Sequence, residues 1–254
     1  MPPGIETFEK STYPATVPQG YEIKHDVYTK GEGPVCVIIQ ELPGISEATL
    51  AMAERFRVRG FRVVLPHLFG PLGRKATLGN TVRIFCMRKE LYLFARNRRS
   101  PIVDWLAALC EDLKQTYQVP GVAVIGMCLT GNFAVSLMAD EAVLAGFASQ
   151  PSGFPLDSGK KLPFSPEELA AIKQKLDQHG PMHAGRFCDD ILCKDARLKS
   201  LENALNKDGV RIKTHRLKGR KHGLLTGHYD DTPGSETQLL EAEIMAYFKA
   251  NLTP

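Results

Sequence analysis

Short runs of consecutive apolar, largely β-branched residues alternate along this chain with longer stretches in which apolar residues recur every three or four positions. The short runs EIKHDVYT (22–29), PVCVIIQE (34–41), RVVLP (62–66), VAVIGM (122–127), AVLAGFAS (142–149), PMHAG (181–185) and VRIKTHRL (210–217) read as strands. Between them EATLAMAERFRVRG, IVDWLAALCEDLKQTY, GNFAVSLMADE, SPEELAAIKQKLDQHG, KDARLKSLENALNKDG and ETQLLEAEIMAYFKANL read as helices. Such alternation implies an α/β fold, a mostly parallel twisted sheet with helices on both faces. In these sheets ligands bind at the carboxyl ends of the strands, where the loops carry the chemistry. No internal repeat or low-complexity run divides the pattern, so one domain over residues 1–254 is expected. The longest irregular stretches, Gly70 to Gly79 and Pro151 to Pro166, both follow expected strands and are candidate walls or lids of a pocket.

One strand exit is special. In VAVIGMCLTGNFAVS, residues 122–136, an apolar strand runs into a turn with Cys128 at its apex and then into the apolar start of a helix. This is the arrangement of a nucleophile elbow, with cysteine where serine is usual. The next backbone N–H, that of Leu129, is placed to meet an oxygen that becomes negative during attack on a carbonyl. Gly126 leaves room where strand and helix come close. A buried, inert thiol is the bland alternative, so partners must decide.

A thiolate nucleophile needs a histidine to take its proton or pair with it. On this plan the order along the chain is nucleophile, acid, histidine, with the histidine on a loop after the last strand. His222, in LKGRKHGLL after VRIKTHRL, fits that place; His228 is an alternative, and His215 lies within the strand pattern. The acid belongs after PMHAG, where RFCDDILCKD offers Asp189, Asp190 and Asp195. Asp189 is preferred, because apolar Ile191 and Leu192 follow it, with Asp190 its close rival. In PVCVIIQELPGIS, Glu41 ends an apolar strand where a carboxylate is costly unless it has a task, and the N–H of Leu42 is the candidate second oxyanion donor.

Composition narrows the partners. The chain has 254 residues, 43% hydrophobic and 24% charged, and its 32 basic and 28 acidic residues give a net charge of +4. Much of the excess lies in RIFCMRKELYLFARNRR (83–99), where interspersed apolar residues suggest a helix with a buried face and a basic outer face. A single such cluster does not make a nucleic-acid binder, although its field would attract an anionic small molecule. The amino terminus has no basic start followed by an apolar core, and no run approaches the ~18 apolar residues of a membrane span, so a cytoplasmic, membrane-free protein is expected. Six scattered cysteines without a CxxC pair predict reduced thiols and no metal site, and the proposed chemistry requires no cofactor.

The combination of IIQELPGIS, VVLPHLFG, GMCLTG, GRFCDD and KHGLL resembles the dienelactone hydrolase family, cysteine hydrolases of the α/β-hydrolase fold, over about residues 20 to 250. The resemblance implies a Cys128–His222–Asp189 triad and a two-step acyl transfer on an ester or lactone. It further implies that Glu41 engages the resting cysteine until an anionic substrate displaces it. The family's best-known reaction opens an unsaturated lactone ring during degradation of chloroaromatic compounds. Two departures stand out. Thr130 occupies a position where the family commonly has glycine, and the arginine that usually follows the histidine to bind a substrate carboxylate is missing, leaving Arg83, Arg88 and Arg96 as candidates. A simple esterase or thioesterase, and a non-catalytic thiol-sensing or binding protein, are the other readings of the same residues.

Overall fold

A computed structural model describes residues 4–72, 99–153 and 158–253. Among them eight strands form one sheet: β1 (Glu9–Thr16), β2 (Glu22–Lys30), β3 (Val35–Ile39), β4 (Arg62–His67), β5 (Val122–Met127), β6 (Val143–Ser149), β7 (Met182–Phe187) and β8 (Ile212–Leu217). The strand order is β1-β2-β4-β3-β5-β6-β7-β8. β1 and β2 run antiparallel to their neighbours, and every pairing from β4 onward is parallel. The helices are α1 (Glu47–Val58), α2 (Pro101–Thr116), α3 (Gly131–Leu137), α4 (Pro166–His179), α5 (Asp195–Leu205) and α6 (Glu236–Leu252).

The central strand β3 explains why its sequence is a continuous apolar run. Val35, Val37 and Ile39 join the core against α2, α3, α4 and α5, while Cys36 and Ile38 join the opposite core against α1 and α6. All five are fully buried, so neither face tolerates the polar alternation of a half-exposed strand. Serine side chains start three of the helices: Ser46 accepts from the Thr49 N–H, Ser165 from the Glu168 N–H and Ser235 from the Gln238 N–H.

All seven expected strands are present, and an eighth, β1, precedes them. Its residues EKSTYPAT are mostly exposed and include Pro14, so they lack the apolar signal of an inner strand; an edge strand tolerates both features. It is fastened instead by pairing along β2 and by two long-range bonds, Tyr13 Oη to the Ala108 carbonyl (3.0 Å) and Trp105 Nε1 to the Tyr13 carbonyl (3.2 Å). The basic segment 83–99, with Arg83, Arg88 and Arg96, lies outside the described residues but for Arg99, and so does the Gly70 to Gly79 stretch beyond Leu72.

Candidate active site

Cys128 sits where β5 ends, on a short helical turn (Cys128–Thr130) that leads into α3, and its φ is +58°. A non-glycine residue in this left-handed region costs about 1–3 kcal/mol and persists only where the surroundings impose it. They do so here through two neighbours. A Cβ on Gly126 would lie 2.0 Å from the Thr130 carbonyl oxygen, so only glycine lets the turn fold back on the strand. The buried Thr130 hydroxyl accepts from the Met127 N–H at 2.9 Å and lies 3.0 Å from the Gln40 carbonyl and 3.1 Å from that of Ile39. Its single proton serves one of these carbonyls, or that of Met127 at 2.9 Å, at a time. Thr130 thus ties the elbow to the end of β3, which accounts for threonine at this departure from the family pattern.

His222 follows β8 and its Nδ1 lies 2.7 Å from Asp190 Oδ2. A carboxylate only accepts, so the ring's proton sits on Nδ1. The other nitrogen, Nε2, is buried and has no partner at hydrogen-bond geometry, while Cys128 is near enough to act on the ring electrostatically. Burial disfavours the imidazolium, but the bond to Asp190, the nearby Cys128 thiol and the charges of both outweigh it, and His222 is pushed up to about 10. His228 does not substitute for it: its Nδ1 accepts from the Gly223 N–H at 3.2 Å and buttresses the loop.

The expectation for the acid is corrected by one residue. β7 continues to Phe187, two residues beyond PMHAG, and Cys188 N–H and Asp189 N–H still bond to the Leu217 and Gly219 carbonyls (2.7 and 2.9 Å). Asp189 is exposed, whereas Asp190 is buried at 4% exposure. Asp190 Oδ1 also accepts from the N–H groups of Leu192 (2.8 Å) and Cys193 (3.0 Å). Burial alone would raise its carboxyl, but the bonds from His222 and these amides more than offset that, holding it below the ordinary value. The apolar residues that favour Asp189 in the sequence are themselves exposed, Ile191 at 75% and Leu192 at 57%. A more informative signal is an aspartate two and three residues before the N–H groups its side chain accepts, a common turn device.

Glu41 lies near enough to His222 to feel its charge, but its hydrogen bonds run to residues other than the cysteine. Its Oε1 accepts from Thr226 Oγ1 at 2.6 Å and its Oε2 from Gln150 Nε2 at 3.3 Å. Burial raises its carboxyl above the ordinary value, against the lowering effects of Thr226, the His222 charge and Gln150. The expected engagement with Cys128 is therefore replaced by one with the histidine loop. Leu42, next along the β3 exit, precedes Pro43 through a cis peptide bond, and Leu129 follows Cys128 in the helical turn. Their N–H groups remain the candidate oxyanion donors.

Three residues that sequence reasoning passed over complete the site. Gln150 is fully buried at the end of β6 with φ of +34°. Its N–H bonds to the Gly185 carbonyl (2.7 Å), its Oε1 accepts from the Leu224 N–H (3.3 Å) and from Ser149 Oγ, and its amide reaches Glu41. One side chain thus joins the β3 exit, β6 and the histidine loop. Thr226 supplies the second link to Glu41, and Arg55 of α1 donates to the Leu225 carbonyl (2.6 Å) while pairing with Glu241 and covering the Tyr229 ring. A polar glutamine closing the apolar run AVLAGFASQ is the one visible hint.

A thiol on a strand–turn–helix elbow, a histidine after the last strand and a buried aspartate after the strand before it, on a sheet of this order, define an α/β-hydrolase fold. The family model of the dienelactone hydrolase family matches residues 24–248, and the chain belongs to that family. Family membership supports a hydrolase. No curated protein matches the sequence significantly. Among solved structures, a dienelactone hydrolase-like promiscuous phosphotriesterase from metagenomic libraries is 17% identical, with 96% of this chain and 99% of that chain covered and a TM-score of 0.62. The Pyrococcus furiosus esterase Pf2001 is 14% identical, with 96% and 93% covered and a TM-score of 0.60. At these identities the likeness is one of fold. Among the described residues no helix is long and apolar enough to cross a membrane.

Proposed function

We propose that the protein hydrolyses a carboxylic ester or lactone through a cysteine acyl-enzyme, with Cys128 as nucleophile, His222 as acid and base, and Asp190 as its orienter. The observation that carries this reading is the pairing of a left-handed Cys128 at the elbow with a His222 whose Nδ1 is held by a buried carboxylate. A histidine raised to about 10 is held as the imidazolium at neutral pH, the form that can give a proton to a leaving group.

The thiolate sulfur attacks the carbonyl carbon, and the carbonyl electrons move to oxygen, held by the N–H groups of Leu129 and Leu42. As the tetrahedral adduct collapses, the C–O bond breaks and the leaving alkoxide takes a proton from His222 Nε2, leaving a thioester on Cys128. Water then attacks the thioester, giving a proton to Nε2, and the acid product departs as thiolate is regenerated. Asp190 stays ionised throughout and holds the ring in the tautomer that presents Nε2. Simple neutral esters and the anionic substrates implied by family resemblance are both compatible with this sequence of steps.

The test traps the intermediate. In a Cys188→Ser background, which removes the exposed competing thiol among the described residues, a p-nitrophenyl ester should give a protein whose mass rises by one acyl group on the Cys128 peptide. Iodoacetamide should abolish turnover in step with alkylation of Cys128. Full activity after complete Cys128 alkylation would overturn the assignment.

A further inference from the structure

Away from the strand ends that carry the elbow, β7, β8 and α6 hold a second cluster that the hydrolytic machinery does not use. His183 near the start of β7 and His215 on β8 project from the same face, since His215 is paired with Gly185, two residues along from His183. His183 Nδ1 and His215 Nε2 are 3.0 Å apart, and Glu243 Oε1 of α6 lies 3.9 Å from each. Tyr247, one helical turn after Glu243, stacks on His183 with ring centroids 4.4 Å apart and planes 24° apart, and its Oη accepts from the Gly146 N–H. His183 is thereby fixed at 3% exposure, while Glu243 stands at the solvent edge. Along β7 the cluster is roughly 13 Å from the strand end that leads to Asp190, at ~3.3 Å per residue.

We propose that His183, His215 and Glu243 form a binding site for a divalent transition-metal ion such as Zn²⁺, clipping α6 to β7 and β8. A point equidistant from three atoms separated by 3.0, 3.9 and 3.9 Å lies about 2.1 Å from each, the bond length of Zn²⁺ to imidazole nitrogen and carboxylate oxygen. Two neutral imidazoles and one carboxylate are a donor set suited to Zn²⁺, Ni²⁺ or Cu²⁺ rather than to Ca²⁺ or Mg²⁺, which favour oxygen. Without an ion the arrangement is poorly matched: one histidine donates to the other, so the carboxylate faces one N–H and one lone pair. An ion would replace the imidazole–imidazole bond, with both rings swinging to aim their lone pairs at it. The fourth coordination position opens toward solvent beside Glu243, and Tyr247 supplies the packing that orients the buried ligand. The sequence-based expectation of no metal site rests on the absence of short ligand spacings, which a site assembled from two strands and a helix does not require.

Chelator-stripped protein in a Cys128→Ser, Cys188→Ser background, which removes the two accessible thiols among the described residues, is titrated calorimetrically with Zn²⁺ and separately with Mg²⁺. The expected result is one Zn²⁺ per chain, no Mg²⁺ binding, and a melting temperature raised by about 5 °C at a hundredfold excess of Zn²⁺ over Kd. Glu243→Gln, on an exposed helix face, should weaken Zn²⁺ at least tenfold without changing the metal-free melting temperature, and His215→Asn should weaken it at least a hundredfold. Co²⁺ should give the visible absorption of a four-coordinate centre in the background protein and lose it in both variants. Zn²⁺ affinity unchanged by Glu243→Gln and His215→Asn, or the absence of stoichiometric binding, would overturn the proposal.

Discussion

Asp190→Asn tests the correction from Asp189 most directly. Asparagine is the same size and keeps one acceptor, so its Oδ1 continues to receive the Leu192 and Cys193 N–H groups. Its amide nitrogen then faces His222 Nδ1 and requires a lone pair there, which moves the ring proton to Nε2 and removes the base proposed to serve Cys128. The electrostatic loss can be sized. The rise of His222 from 6.5 to about 10 corresponds to roughly 5 kcal/mol in favour of the imidazolium, shared between Asp190 and Cys128 after burial is overcome. Half of that is about a 70-fold loss, and the wrong tautomer adds to it, so kcat/KM for a chromogenic ester should fall by roughly 10² to 10⁴. Because the folded-state value of His222 is raised, its ionisation stabilises the fold fully below about 6.5, and that contribution is lost as pH rises through about 10. Urea midpoints between pH 6 and 10 should therefore fall more steeply for the wild-type chain than for Asp190→Asn. Asp189→Asn, at an exposed position, should leave both the rate and the midpoints unchanged. Asp190→Asn within threefold of wild type, or Asp189→Asn falling as far, would refute the reasoning.

Thr130→Val removes the hydroxyl but keeps the shape, leaving the buried Met127 N–H without its acceptor; it should cost about 1–3 kcal/mol of stability in urea unfolding and lower kcat, with Thr130→Ser restoring both. A Thr130→Val midpoint equal to wild type would remove the anchoring role. Gln150→Ala should lower kcat more than it changes KM, because it frees the Leu224 N–H and the Glu41 carboxylate together. Combined with Glu41→Gln in a double-mutant cycle it should be non-additive by about 1 kcal/mol, and strict additivity would show that the two do not act through one contact.

The parts of this molecule legible in its sequence are those whose signal is local. A fully buried parallel strand shows as an unbroken apolar run, which is why β3, β5 and β6 stand where the pattern puts them, and an elbow requires strand, turn and helix within fifteen consecutive residues. β1 gives no such signal because an edge strand buries little, and its pairing partner is encoded elsewhere. The acid is displaced by one residue for a related reason. Alternation along an extended chain sends neighbouring side chains to opposite sides, so misjudging where β7 ends by two residues leaves the choice between Asp189 and Asp190 without a reference. The apolar Ile191 and Leu192 mislead because hydrophobic character does not guarantee burial in a loop whose backbone is already committed to the Asp190 carboxylate.

The partners of Glu41 are the least legible feature, and their arrangement changes what the carboxylate does. It is bonded by Thr226, 185 positions later, and by Gln150, 109 positions later, and neither pairing has a periodic trace in the sequence. Both partners sit on the structure that holds His222: Thr226 is in its loop, and Gln150 bonds the Leu224 N–H. A buried carboxylate raised by desolvation and lowered by the His222 charge is therefore coupled to the histidine first, and to the thiol only through it. On that basis a change of charge at Glu41 acts on catalysis by shifting the imidazolium and the position of its loop, so substrate-triggered activation would require a rearrangement that breaks the bonds to Thr226 and Gln150 before Glu41 could meet Cys128.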